Sequence, residues 1–241
     1  MTTATPAQIS IDGVTVQLGE VRALDGLTVQ TADRRIGIVG RNGSGKSTLA
    51  RVLCGLIAPE AGQTRVGGVD VLTDRKAAIR TVGLLFQNPD HQIIFPTVDE
   101  EISFGLRQLG QGKEAAADAT ARMLAQFGKS HWAGRSVATL SQGQRHLVCL
   151  MAVLAMDPAV IVLDEPFSGL DIPTTRALTR YLDALPQTLV HITHDPAVIA
   201  GYDWVIWLDR GKVAGDGAPE TVLPAYRAAM EEERPDAGAD L

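Results

Sequence analysis

Two short stretches hold residues whose types and spacing can do chemistry. Residues 40–48 read GRNGSGKST. Gly40, Gly43 and Gly45 let the backbone curl with its N–H groups inward, which makes a nest for phosphate oxygens. A helix opening at Lys46 would add the partial positive charge of its N-terminus. Lys46 is spaced to reach β and γ phosphates, and Ser47 to offer its hydroxyl to Mg²⁺. Arg41, Asn42, Ser44 and Thr48 complete the loop. The second stretch, VIVLDEP, ends an apolar run in Asp164 and Glu165. Asp164 there can hold Mg²⁺, directly or through water. Glu165 can orient or deprotonate a water that attacks a γ-phosphate. A glycine-rich turn with an exposed lysine is the plain reading of the first stretch, and an acidic turn that of the second. Their pairing disfavours both plain readings, because phosphate-loop enzymes join such a loop to such an Asp.

These groups need a scaffold that brings residues 46 and 164 together. Ile36–Val39 (IGIV) is a short apolar run before the glycine loop, and KSTLARVLCGL follows with Leu49, Val52, Leu53 and Leu56 at helical spacing. Pro59 is placed to close that helix. VIVL, TLVHIT and WVIWL are further apolar runs, suited to parallel strands covered on both faces. The beginning differs. Ile9, Ile11, Val14, Val16 and Leu18 alternate around Asp12-Gly13, and Leu27 and Val29 add a second half-buried strand, with Gly19 and Gly26 as punctuation. That is an antiparallel pattern with one wet face. Between Pro89 and Asp157 the chain reads as helix. VDEEISFGLRQL and EAAADATARMLAQF are two helices, and the stretch after Ser141 is a third. The acidic run 99–101 suits the first turn of the first of them. EEERPDAGADL closes the chain as a polar tail.

Composition narrows the function classes. The 241 residues suffice for one large or two small domains, with 45% apolar and 21% charged residues, ordinary for a globular protein. Twenty-two basic against 28 acidic residues give a net charge of −6, which argues against a chain that chiefly grips nucleic acid. Cys54 and Cys149 are far apart, so neither a disulfide framework nor a zinc site is expected. The first ten residues lack the basic and apolar regions of a signal peptide, and no apolar window approaches a membrane span. A role at a membrane would be that of a peripheral subunit.

LSQGQ, residues 140–144, fits a capping box: Ser141 accepts from the N3 backbone N–H and Gln144 reaches back. With these motifs in view, the chain resembles the ATP-binding subunit of an ABC transporter over about residues 8 to 225. LSQGQ is similar to the ABC signature, with Gln142 where glycine is usual. FSGLD, residues 167–171, resembles the D-loop, ITHD places His194 at the switch-histidine position, and FQNPDHQ places Gln87 at the Q-loop. All lie in the family's order.

The resemblance implies an α/β fold: a P-loop NTPase (ABC ATPase) with a mixed sheet core, an antiparallel β subdomain and an inserted helical subdomain. The core is expected at 1–87 and 158–225, the helical lobe at 88–157 and the tail at 226–241. It implies ATP and Mg²⁺ as cofactors. Glu165, His194 and Gln87 would be catalytic, and Ser47, Asp164 and Gln87 would hold the metal. Residues 40–48 would cradle the nucleotide. Ser141, Gln142, Gly143, Gln144 and Asp171 would complete the site of a second ATPase subunit, identical or different. The family's adenine-stacking aromatic has no counterpart from Val14 to Val21, so Val16 or Leu18 would have to offer an aliphatic face. His191 reads as packing. His91, His131 and His146 show no usable pattern.

GLLFQNPDHQIIFPTVDEEISFG, with its second glutamine at Gln92, is similar to the ATPases of energy-coupling factor importers of vitamins and of cobalt or nickel ions. These work with a transmembrane coupling protein and a substrate-binding membrane protein, at the cytoplasmic face of the membrane. The end soon after GAPETVL resembles the short members, among them the biotin-transporter type. A subunit of another ABC transporter, a soluble ABC-type ATPase, a small P-loop kinase and a non-enzymatic nucleotide-binding regulator are the rival readings. Soluble DNA-repair forms need a long coiled-coil insertion, which no sustained heptad run supplies, and translation forms usually carry two such domains in one chain. A kinase needs no signature helix, and Glu165 argues against a regulator.

Overall fold

A computed structural model describes residues 5–232. Its larger sheet has six strands in the order β10-β9-β3-β8-β7-β6. These are β3 (Arg35–Gly40), β6 (Val82–Leu85), β7 (Val160–Asp164), β8 (Thr188–Ile192), β9 (Trp204–Asp209) and β10 (Lys212–Gly217). Strands β9, β3, β8, β7 and β6 run parallel, and β10 closes one edge antiparallel to β9. The apolar runs behave as doubly covered parallel strands should. Period-two alternation divides their side chains: Val160 and Val162 join one core cluster, and Ile161 and Leu163 the cluster on the opposite face.

The smaller sheet is antiparallel, in the order β2-β1-β4-β5. It is built from β1 (Ile9–Leu18), β2 (Val21–Thr31), β4 (Ala61–Val66) and β5 (Val69–Asp70). Asp12-Gly13 does not separate two strands. The register slips between Ile11 and Val14, a bulge that returns the next apolar residues to the buried face. Gly26 likewise lies inside β2 instead of ending it. Ile9, Ile11, Val14 and Val16 pack onto one face of the large sheet, with Leu49, Val52 and Leu53 of α1 (Lys46–Leu53) between them.

Helix α1 ends earlier than its apolar spacing suggests. The Gly55 N–H bonds to Val52 O at 2.9 Å and the Leu56 N–H to Arg51 O at 2.8 Å, and Gly55 has φ +66°. This is a Schellman closure, so Leu56 leaves the buried stripe and is 52% exposed.

The expected helices are present as α3 (Val98–Gln108), α4 (Lys113–Gln126) and α5 (Gln142–Ala155). They do not close a separate core. Val98, Ile102, Leu124 and Leu150 share one cluster with Leu85, Ile161 and Leu163 of the sheet and with Leu178 and Leu182 of α6 (Ile172–Asp183). The acidic run 99–101 does more than complement a helix end. Glu101 is buried and accepts from the N–H groups of Ile94 and Phe95, both at 2.9 Å, while Asp99 accepts from Gly134.

Helices α2 (Arg75–Thr81) and α7 (Pro219–Glu232) complete the described chain. The expected polar tail therefore starts too early. Residues 226–232 continue α7, with Tyr226 buried among Val39, Val205 and Val222. The rest of that tail lies outside the described residues. Among the described residues no helix is long and apolar enough to cross a membrane.

Candidate functional site

Parallel register fixes which loops meet. Ile38 pairs with Ile192, Asp164 pairs with Ile192, and Gly40 pairs with Leu208. The carboxyl ends of β3, β7 and β8 thus lie side by side, where ligands sit in such sheets. Gly40 opens the loop there with no room for a side chain. A Cβ would strike Leu208 O, and it would lie 2.5 Å from Ser44 Oγ. Gly43 and Gly45 have φ of +79° and +103°, and a Cβ on Gly45 would stand 2.5 Å from Ala23 O. Glycine is therefore required at 45 on both conformational and steric grounds. Gly45 caps α1 through its backbone alone, leaving the first N–H groups of the helix free to face the pocket.

That pocket has a volume of about 570 Å³. Residues 40–43 and 45–48 line it together with Gln87, Glu165 and His194, so most of the expected own-chain site converges. Ser44 does not line it. Its side chain is buried beneath the loop beside Gly40. Lys46 is 7% exposed, and its Nζ donates to Gly40 O at 2.7 Å and Arg41 O at 2.8 Å. Burial pushes the Lys46 pKa down, while the carboxylates of Glu165 and Asp164 push it back up.

Ser47 Oγ donates to Asp164 Oδ1 at 3.2 Å, across 117 residues of chain. Burial raises the Asp164 pKa, opposed by the Ser47 hydrogen bond and by Arg51 and Lys46. A hydroxyl and a half-buried carboxylate are hard oxygen donors, the kind Mg²⁺ takes when phosphates and water fill its remaining positions. Among the described residues no group of three His, Cys, Asp or Glu gathers as a protein-only metal cage.

Glu165 sits at φ +51° just past the end of β7, its N–H bonded to Ile192 O at 3.0 Å. This turns its carboxylate toward the next loop, where His194 Nδ1 meets Glu165 Oε2 at 2.7 Å. Gln87 Nε2 donates to Ser168 Oγ at 3.2 Å. Gln92 lies off the pocket and closes its own loop, its Oε1 accepting from Phe86 N–H at 3.1 Å.

The signature residues stand elsewhere. The capping box forms as expected, with Gln144 N–H to Ser141 Oγ at 3.3 Å and Ser141 N–H to Gln144 Oε1 at 3.0 Å. Ser141, Gln142, Gly143, Gln144 and Asp171 do not line the pocket of their own chain. Asp171 caps α6, accepting from Thr174 N–H at 2.8 Å, and Thr174 holds its pKa below the usual value. Gly143 sits against Thr174, where a Cβ would lie 2.5 Å from Thr174 Cγ2. The Gln142 carboxamide folds over Gly169, with Nε2 3.2 Å from where a Cβ would be.

Neither expected aliphatic face holds. Val16 is 1% exposed in the core, and Leu18 does not line the pocket. Val21 and Ala23 line it instead, as does Tyr226 of α7. Val21 was recognisable only as an apolar residue at a hairpin. Tyr226 carried no sequence signal.

A glycine-loop ATPase of mixed α/β fold is the class that this site defines. The family model described as ABC transporter matches residues 26–168. The chain is 49% identical over 223 residues to the biotin transport ATP-binding protein BioM of Rhodobacter capsulatus, covering 92% of this chain and 95% of that one. It is 37% identical to the energy-coupling factor transporter ATP-binding protein EcfA of Methanoculleus marisnigri, covering 85% of this chain and 76% of that one. Among solved structures, cbiO1 of Clostridium perfringens, part of the ABC transporter complex cbiONQ, superposes with a TM-score of 0.77 at 25% identity, covering 92% and 93%. The chain belongs to the ABC transporter family. It is an ATP-hydrolysing subunit of the energy-coupling factor type.

Proposed function

We propose that this subunit powers uptake of biotin, and that two such ATPase chains, identical or different, clamp ATP between them on a membrane-embedded partner. The convergence of Lys46, Ser47 and the Glu165–His194 pair in one pocket, with Asp164 behind it on the Ser47 hydroxyl, carries the ATPase part of the reading. The 49% identity to the biotin transport protein supports the cargo.

In this reading residues 40–48 hold the phosphates by backbone N–H groups, and Lys46 exchanges its two carbonyl partners for β- and γ-phosphate oxygens. Ser47, Asp164 and Gln87 would hold Mg²⁺, which would supply neutralisation of the phosphate charge. Glu165 orients or deprotonates the attacking water. His194 fixes the Glu165 carboxylate and faces the γ-phosphate. Ser141, Gln142, Gly143 and Gln144 serve the ATP of the opposite chain, where the N-terminus of α5 favours an anion. Asp171 lies along that contact. Because ATP binds the closed pair better than the open one, closure follows its binding and opening follows loss of the γ-phosphate.

The division into a core at 1–87 and 158–225, with helices inserted at 88–157, is part of the same proposal, as one ATPase domain. So are a transmembrane coupling protein, a substrate-binding membrane protein and a position on the cytoplasmic face of the membrane.

Co-purification of the tagged chain from its own membranes, with partners identified by mass, tests the assembly. Reconstituted vesicles supplied with ATP on this subunit's side should take up labelled biotin, and Lys46→Ala should stop it. Uptake of nickel or cobalt ions without biotin would refute the cargo. Absence of any integral membrane partner would refute the transporter role.

A further inference from the structure

His146 is the fifth residue of α5, and its side chain is completely buried. Neither Nδ1 nor Nε2 has a hydrogen bond. Burial lowers its pKa, while backbone acceptors of Gln87, Gln142 and Phe86 pull the other way without reaching bonding geometry. A buried polar ring with no partner costs stability and calls for a reason.

Its surroundings supply one. The ring lies where the loop after β6 meets α5, facing the backbone at Phe86, Gln87 and Gln142. The loop after β6 is tied to α5 by Arg145 Nε and Asp90 Oδ1 at 3.1 Å. The same loop is tied to the segment after β7 by Gln87 Nε2 and Ser168 Oγ at 3.2 Å. That segment in turn lies under the Gln142 carboxamide at Gly169. On one side, then, is a glutamine of the chain's own pocket, and on the other the helix start that carries Ser141.

We propose that His146 is a positioning residue that makes its missing hydrogen bond only in the nucleotide-bound conformation, tying the backbone at Phe86–Gln87 to the start of α5. This rests on the reading that Gln87 serves the nucleotide. Gln87 lines the pocket, but its amide is held on Ser168. Releasing Ser168 to reach a bound triphosphate moves the loop that faces the imidazole. A neutral imidazole offers one donor and one acceptor, enough to capture a shifted backbone group. A bond absent from the empty state and present in the filled one biases the equilibrium toward the filled one. It also makes the helix start that serves the partner's site respond to this chain's own pocket.

The test uses wild type, His146→Leu and His146→Gln, each measured for nucleotide-free thermal unfolding and for ATP turnover. Leucine keeps the bulk and removes the orphaned polar atoms. Its unfolding midpoint should hold or rise by about 2–4 °C. Its kcat/KM should fall about tenfold, the worth of one hydrogen bond. Glutamine keeps a donor and an acceptor, and should hold turnover within roughly threefold of wild type. A leucine variant that loses midpoint and turnover together marks an ordinary packing residue and overturns the proposal. One that keeps full turnover, or a folded glutamine variant no better than leucine, overturns it too. If wild type itself shows no ATP turnover, the proposed use of the pocket fails first.

Discussion

Lys46→Ala is the perturbation whose size the structure constrains best. The ammonium makes two short donations, to Gly40 O and Arg41 O. Charged hydrogen bonds of this kind contribute about 1.5–3 kcal/mol each, but burial of the ammonium offsets part of that, as its lowered pKa indicates. Both carbonyls border a pocket of about 570 Å³ that water can enter, so the variant leaves no dry orphan. The stability loss should be about 1–2 kcal/mol, a fall in midpoint of roughly 2–8 °C for a chain of this size. ATP binding involves an exchange, since carbonyl partners are given up for phosphate oxygens. Affinity should therefore drop only about 10–100-fold. Turnover depends on a preorganised charge where negative charge gathers, and loss of one such donor costs about 10²–10³ in kcat. Fluorescent-nucleotide titration, phosphate release and thermal unfolding separate the three effects. A variant with kcat within about tenfold of wild type would refute the assignment of Lys46 to the phosphates. Unchanged affinity together with a collapsed midpoint would show the lysine to be a loop brace only.

Three further outcomes are expected. Glu165→Gln should bind ATP, hydrolyse it about 10²–10³-fold more slowly and accumulate an ATP-dependent dimer in sedimentation, alone or with a partner ATPase; a strictly monomeric variant at saturating ATP would count against the shared site. Ser141→Ala should cost about 1 kcal/mol through the lost cap. It should also weaken the ATP-dependent dimer, and an unchanged dimer would leave Ser141 as a cap alone. His191 is buried with its pKa pushed down to about 4, below its unfolded value of 6.5. Between those values the unfolded chain binds the extra proton, so stability is full above about pH 6.5 and is lost as pH falls toward 4. His191→Gln, which can still meet the Tyr202 hydroxyl, should flatten that slope in urea titrations at stepped pH; an equally steep slope would place the titrating group elsewhere.

Local chemistry was the most legible part of the chain. The glycine loop declares itself because only glycine tolerates φ near +100° against a neighbouring carbonyl, and the capping box because its partners are three residues apart. Parallel strands were readable as apolar runs. Strands β4 and β10 carry no apolar run of their own, and β6 is apolar but only four residues long, so none of the three stands out locally. The apolar stripe through Leu56 runs past the end of α1 because Gly55, at φ +66°, closes the helix before it.

The sequence by itself carried the groups behind the proposed chemistry: a glycine loop for phosphate, a hydroxyl and carboxylate proposed for a hard cation, and a second carboxylate proposed for water. Each depends on residue type and on short spacing, which the chain carries locally. Only the tertiary structure decided the company these groups keep. It placed His194 against Glu165, and it set Val21, Ala23 and Tyr226 on the pocket wall in place of Val16 and Leu18. It folded Gln142 over Gly169 and left His146 without a partner under Phe86 and Gln87. The reason is physical: strand register and the packing of α5 and α7 bring together residues from dozens to more than two hundred positions apart, and no local pattern encodes those distances.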